Sequence, residues 1–147
     1  MTNQPPDSSR TKILIVDDNC VILRALQLKL ESRGYTVFTA SDGATAVNTA
    51  LDMSPDLVLL DIGFPPDVAH GGGVGWDGFG VLAWMRRVMA CNAPVIIITG
   101  SNPLEYQKRA IAAGAEAIFH KPIDNEDLLQ TIKKVLTSNK PDVPPKE

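Results

Sequence analysis

The chain has 147 residues, 44% hydrophobic and 21% charged, with a formal net charge of −3. That is enough for one domain with a real core, and the mild acidity supplies no basic surface for nucleic acid or membrane. No apolar run reaches the length of a bilayer span, and residues 1–11 lack the apolar segment of a secretory signal.

Residues 1–11 carry Pro5, Pro6, Ser8 and Ser9 and read as a disordered leader. The run over 12–16, apolar after Lys12, predicts a strand covered on both faces, as in the centre of a parallel sheet. A helix is predicted over 19–33, with Asn19 as its cap, Leu23, Leu26 and Leu30 as its buried stripe and Gly34 as its stop. Residues 35–39 read as the second strand. Ser41 and Asp42 can cap a second helix, with Ala44, Val47 and Leu51 aligned, that ends before Pro55. The third strand is predicted over 57–60. A glycine-rich loop over 62–76 follows, then a helix over 77–89 with Phe79, Leu82 and Met85 inward. Residues 95–98 read as the fourth strand and 103–113 as a helix that opens on Pro103 and stops at Gly114. A fifth strand is predicted over 116–119. The last helix, 124–136, has Leu128, Ile132 and Val135 on one face. Residues 138–147, with three prolines, read as a tail or a truncated linker. Cys20 and Cys91 show no metal-like spacing and predict reduced thiols in a cytoplasmic protein rather than a disulfide.

Five βα units with short connections predict a single doubly wound α/β domain over 12–137, a five-stranded parallel sheet of (βα)5 type. Such folds bind ligands outside the carboxyl ends of their strands. Asp17, Asp18, Asp61, Thr99 and Lys121 all sit where an apolar run stops. Three carboxylates there suit Mg²⁺, which prefers oxygen ligands. A carboxylate such as Asp61 can also attack phosphorus to form an aspartyl phosphate. Thr99 can donate a hydrogen bond to a phosphoryl oxygen, and Lys121 can place a compact positive charge beside it. Taken singly, each has a plainer reading: a helix cap for Asp17 or Asp18, a loop acid for Asp61, a turn for Thr99, a solvated charge for Lys121. Their joint placement favours a phosphoryl-accepting metal site. His70 has no second soft ligand spaced to join it, which speaks against a metal role.

The stretches Lys12-Ile-Leu-Ile-Val-Asp-Asp18, Pro55-Asp-Leu-Val-Leu-Leu-Asp61, Pro94-Val-Ile-Ile-Ile-Thr-Gly100 and Gly114-Ala-Glu-Ala-Ile-Phe-His-Lys-Pro122 resemble the receiver domain of two-component response regulators. The resemblance spans roughly residues 11–136. It implies the flavodoxin-like fold and a phosphorylation-activated signalling switch. It implies Asp61 as phosphoacceptor and Asp17, Asp18, Asp61 and the backbone carbonyl of Gly63 as Mg²⁺ ligands. Thr99 matches the family's switch hydroxyl, Lys121 its lysine and Pro65 a proline after the phosphoacceptor. Pro122 matches a proline that follows a cis peptide bond. The implied phosphate donor is a histidine kinase or histidine phosphotransfer protein. The implied output is an effector protein met through the face of helix 4, strand 5 and helix 5, with a homodimer as one arrangement; Lys108 and Arg109 are candidates on that face, with a solvated helix face as the plainer reading. No catalysis beyond self-phosphorylation and self-dephosphorylation is implied.

Two departures from the family pattern stand out. Ile118 occupies a position where the family usually has Tyr or Phe. The Asp-Gly that opens the third helix, Asp77-Gly78, is delayed by residues 66–76, which read either as a flap or partner contact anchored by Trp76 or as a tolerated insertion. In the family, side chains at the positions of Gly63 and Ser101 influence how water reaches the phosphoryl group; both are small here, which leaves access open unless the insertion closes it. Competing readings are a receiver-like scaffold that works without phosphorylation and a Mg²⁺-dependent phosphatase with an aspartate nucleophile. The phosphatase family carries a second Asp where this chain has Gly63, and its later acids follow the lysine. A flavin protein of the same fold would need a phosphate-cradling loop where Asp17 and Asp18 stand.

Overall fold

A computed structural model of the protein describes residues 10–62, 78–87, 93–100 and 103–138. Its elements run β1 (Lys12–Val16), α1 (Cys20–Glu31), β2 (Thr36–Ala40), α2 (Gly43–Met53), β3 (Leu57–Asp61), α3 (Gly78–Arg87), β4 (Val95–Thr99), α4 (Pro103–Ala112), β5 (Ala117–His120) and α5 (Asn125–Ser138). The five strands are all parallel, in the order β2-β1-β3-β4-β5. The expected doubly wound α/β architecture is therefore present. Most of the leader, Gly63 with the glycine-rich insertion, Cys91, Ser101 and all but the first residue of the tail lie outside the described residues.

Strand alternation sorts the core into two layers. Leu14, Val16, Val58, Leu60, Val95 and Ile97 face α2, α3 and α4 and pack with Ala46, Ala50, Leu82, Met85 and Ala110. Ile13, Ile15, Leu57, Leu59, Ile96 and Ile98 face α1 and α5, meeting Leu23, Leu26, Leu30, Leu128 and Ile132. The three inner strands need apolar residues at nearly every position because both of their faces are covered.

Caps set the helix starts. The Asn19 side chain accepts from the N–H groups of Val21 and Ile22, and that of Asp42 from Thr45 at 2.7 Å. Asp124 does the same for Glu126 and Asp127, so α5 begins one residue later than the pattern suggests. Gly34 (φ 93°) and Gly114 (φ 90°) end α1 and α4 in the left-handed region. Ser54 takes the same region at φ 48° after α2; the stop before Pro55 was expected, the left-handed conformation was not. The α2 stripe also differs from expectation. Ala46, Val47 and Ala50 are buried, Ala44 is only half-buried and Leu51 is 53% exposed. Small side chains face the sheet there, and α2 lies close against it. The fifth strand is shifted one residue later than predicted, and α5 continues to Ser138. Among the described residues no helix is long and apolar enough to cross a membrane.

Candidate functional site

The strand order reverses between β1 and β3, because the chain leaves β1 toward β2 and builds the rest of the sheet on the other side. Val16 pairs with Leu60, so the next residues, Asp17 and Asp61, emerge from adjacent central strands at one level. Asp61 in turn pairs with Ile98, which places Thr99 one step beyond it on β4. Thr99 pairs with His120, and Lys121 follows directly. Sheet register thus brings four residues from four strands to one edge.

The side chains converge. Lys121 Nζ donates to Asp17 Oδ2 at 2.9 Å and to Asp61 Oδ2 at 3.1 Å. Asp17 and Asp61 are 2% and 4% exposed, and Thr99 is fully buried. Carboxyl oxygens of Asp17, Asp18 and Asp61 lie within 4.8 Å of one another, with Asp18 on the solvent side. The backbone holds this arrangement. The Asp17 N–H donates to Ala40 O at 3.1 Å, its Oδ1 accepts from the Asn19 N–H at 2.9 Å, and the Lys121 N–H donates to Thr99 O at 2.9 Å. The last bond ties the turn after β5 to the end of β4. The Lys121–Pro122 peptide is cis, as the resemblance implied.

Two buried carboxylates side by side repel each other, and burial costs each of them hydration. The Lys121 ammonium answers both. Burial pulls its pKa down, but the hydrogen bonds to Asp17 and Asp61 and the attraction of their charges outweigh this and hold it above its ordinary value. Three carboxylates against one ammonium still leave the cluster net negative. A small hard cation on the exposed Asp18 side suits this oxygen-only donor set.

All five side chains singled out from sequence therefore meet at one edge; the Gly63 carbonyl lies outside the described residues. Two arginine contacts near the site's helices had no sequence signal. Arg109, a candidate for a partner surface, has its guanidinium carbon 4.1 Å from the centroid of the Phe79 ring. Arg86 donates to Ala93 O at 2.7 Å and to Gly114 O at 3.5 Å. Ile118 packs on the α3–α4 side of the sheet and Phe119 on the α1–α5 side, the alternation expected of a strand.

A family model described as the response regulator receiver domain matches residues 13–133. The transcriptional regulatory protein KdpE of Mycobacterium tuberculosis is 34% identical over 129 residues, covering 88% of this chain and 52% of that protein. The chain thus spans about half the length of the curated relatives it matches. Among solved structures, a CheY-like response regulator receiver domain protein from Methanospirillum hungatei is 31% identical. It superimposes with a TM-score of 0.77 over 88% of this chain and 96% of its own. A receiver domain protein from Clostridium thermocellum is 27% identical with a TM-score of 0.74, covering 87% and 95%.

Proposed function

Because this chain belongs to the response regulator receiver domain family, whose members are phosphorylatable switches of two-component signalling, we propose that Asp61 is its phosphoacceptor and that Asp17, Asp18 and Asp61 hold the Mg²⁺ the reaction needs. The observation that carries this reading is the Lys121 bridge to Asp17 and Asp61 beside Asp18. Members of this family are signalling proteins rather than classical enzymes, and this chain's own chemistry is limited to taking up and losing the phosphoryl group.

An Asp61 carboxylate oxygen attacks the phosphorus of a phosphohistidine presented by a histidine kinase or phosphotransfer protein. The new O–P bond forms as the N–P bond breaks, and the imidazole leaves with a proton from solvent. Asp17, Asp18, Asp61 and the Gly63 carbonyl would hold Mg²⁺, whose charge would offset repulsion between the carboxylate and the phosphoryl oxygens. Lys121 exchanges its carboxylate partners for a phosphoryl oxygen, and the Thr99 hydroxyl donates to another. Water attack on phosphorus later breaks the O–P bond, restoring the Asp61 carboxylate and releasing inorganic phosphate.

Phosphorylation adds roughly −1.5 to −2 of charge and three strong acceptor oxygens. Thr99 and Lys121 are drawn to them and carry the turns after β4 and β5, which biases the α4–β5–α5 face between two populations. An effector protein reads that face, and a homodimer through it is a second use. The cytoplasm is the compartment that suits such a switch, and residues 12–137 form the receiver unit. Incubation with acetyl phosphate and Mg²⁺ should add one phosphoryl mass to the wild type and none to Asp61→Asn. Equal uptake by Asp61→Asn would sink the assignment.

A further inference from the structure

We propose that α4 is held in its resting position by a latch between Phe79 and Arg109, and that phosphorylation of Asp61 releases it. The proposal rests on the phosphoacceptor reading above. Phe79 is the second residue of α3, the helix that follows the segment leading away from Asp61. Its ring is almost buried in the core layer beneath α2, α3 and α4, together with Ala110 of α4 and the partly buried Ile118 of β5. Arg109 stands beside Ala110 but on the exposed side of α4, and it folds its guanidinium back onto the ring, 4.1 Å from the centroid. A cation over an aromatic face is attracted by the ring's negative quadrupole, and the attraction lapses once the charge leaves the face.

The other attachment of α4 has a different character. Arg86, in the last turn of α3, donates to the carbonyls of Ala93 and Gly114 and so ties the turn after α4 to the entry of β4. Gly114 has a left-handed φ of 90°, a conformation glycine adopts freely, and the Ala115 N–H closes back on Ala110 O at 3.0 Å. The turn after α4 is thus tied to the sheet by the Glu116 N–H, which donates to Val95 O at 2.8 Å, and more weakly to α3 by Arg86. The N-terminal end of α4 begins at Pro103, four residues after Thr99. A displacement of Thr99 acts on that end, and α4 turns about the end tied through Gly114. The Phe79–Arg109 stack is the contact such a rotation breaks. It is closed in the arrangement in which Lys121 is committed to Asp17 and Asp61.

The test is amide hydrogen exchange across residues 103–116, with and without beryllofluoride and Mg²⁺, read beside intact mass. In the wild type, beryllofluoride should raise exchange in α4. In Arg109→Gln, α4 should already exchange at the raised rate without beryllofluoride, and the added change should fall by at least half while beryllofluoride uptake is retained. Arg109→Lys, which keeps the cation, should recover part of the response, and Phe79→Leu should match Arg109→Gln. Wild-type exchange and a full-sized response in Arg109→Gln would overturn the latch. A wild type that takes up beryllofluoride no better than Asp61→Asn would instead overturn the phosphoacceptor reading, and the latch with it.

Discussion

Replacing Lys121 with Met tests the electrostatic account of the site most directly. The substitution keeps much of the apolar stem and deletes the ammonium that donates to Asp17 at 2.9 Å and to Asp61 at 3.1 Å. A hydrogen bond to a charged group contributes about 1.5–3 kcal/mol, and stripping one partner from a buried ion pair costs about 3–5 kcal/mol. The Lys121 side chain is 21% exposed, so solvent screens part of this, and Asp17 keeps its bond from the Asn19 N–H. The expected loss at pH 7 is therefore about 2–3 kcal/mol, read from urea denaturation without divalent metal. The loss should shrink by at least about 1 kcal/mol in an Asp61→Asn background, because one of the two stranded charges is gone. The alkaline limb adds a sign. The Lys121 pKa is raised in the folded protein. Its contribution is complete below the unfolded value of about 10.4 and disappears as pH climbs through the higher folded value. Wild-type stability should fall toward that of Lys121→Met in this window. A Lys121→Met protein within about 0.5 kcal/mol of wild type at pH 7 would refute the claim that the ammonium neutralises the two carboxylates.

Three further outcomes follow from other parts of the molecule. Mg²⁺ at ten times its dissociation constant should stabilise the wild type by about 1.4 kcal/mol through binding the native state alone. Asp17→Asn should lose most of that gain, and an equal gain in both proteins would place the ion elsewhere. Ser54→Gly should raise stability by up to about 1 kcal/mol in urea titration, since Ser54 holds a left-handed φ of 48° at the end of α2; a loss instead would mean that its side chain earns its place. Leu82→Ala, at a fully buried position, should cost about 3 kcal/mol. Leu51→Ala, at a position 53% exposed, should change stability by less than about 0.5 kcal/mol; equal losses in urea would contradict the assignment of the α2 face.

The helix that misled the sequence reading shows why some of the fold was hidden. In α2 the aligned Ala44, Val47 and Leu51 suggested the inward stripe; Val47 is buried as expected, but its buried companions are Ala46 and Ala50. Alanines give weak hydrophobic periodicity, and only the closeness of α2 to the sheet makes them the buried face. Leu23, Leu26 and Leu30 of α1 were legible because a wide aliphatic stripe has few other ways to be covered. Caps were legible where a short polar side chain stood just before the periodic run, as with Asn19 and Asp42. Ser54 was not, because a serine carries no preference for positive φ.

Local sequence determined the succession of strands and helices along the chain, the double coverage of the inner strands and the edge at which the polar residues collect. It did so because an apolar run that ends in an acid, a hydroxyl or a lysine marks its own carboxyl end. Only the tertiary structure decided which of these residues touch. Parallel register between β1 and β3 puts Asp17 beside Asp61, and a lysine 60 residues farther along returns to bridge them. The same holds for Arg109, which in sequence is one more charge on an exposed helix face and in space lies over Phe79. Charge and hydropathy patterns along a chain say which groups must find partners. Which partners they find depends on strand order and helix packing, which no local pattern contains.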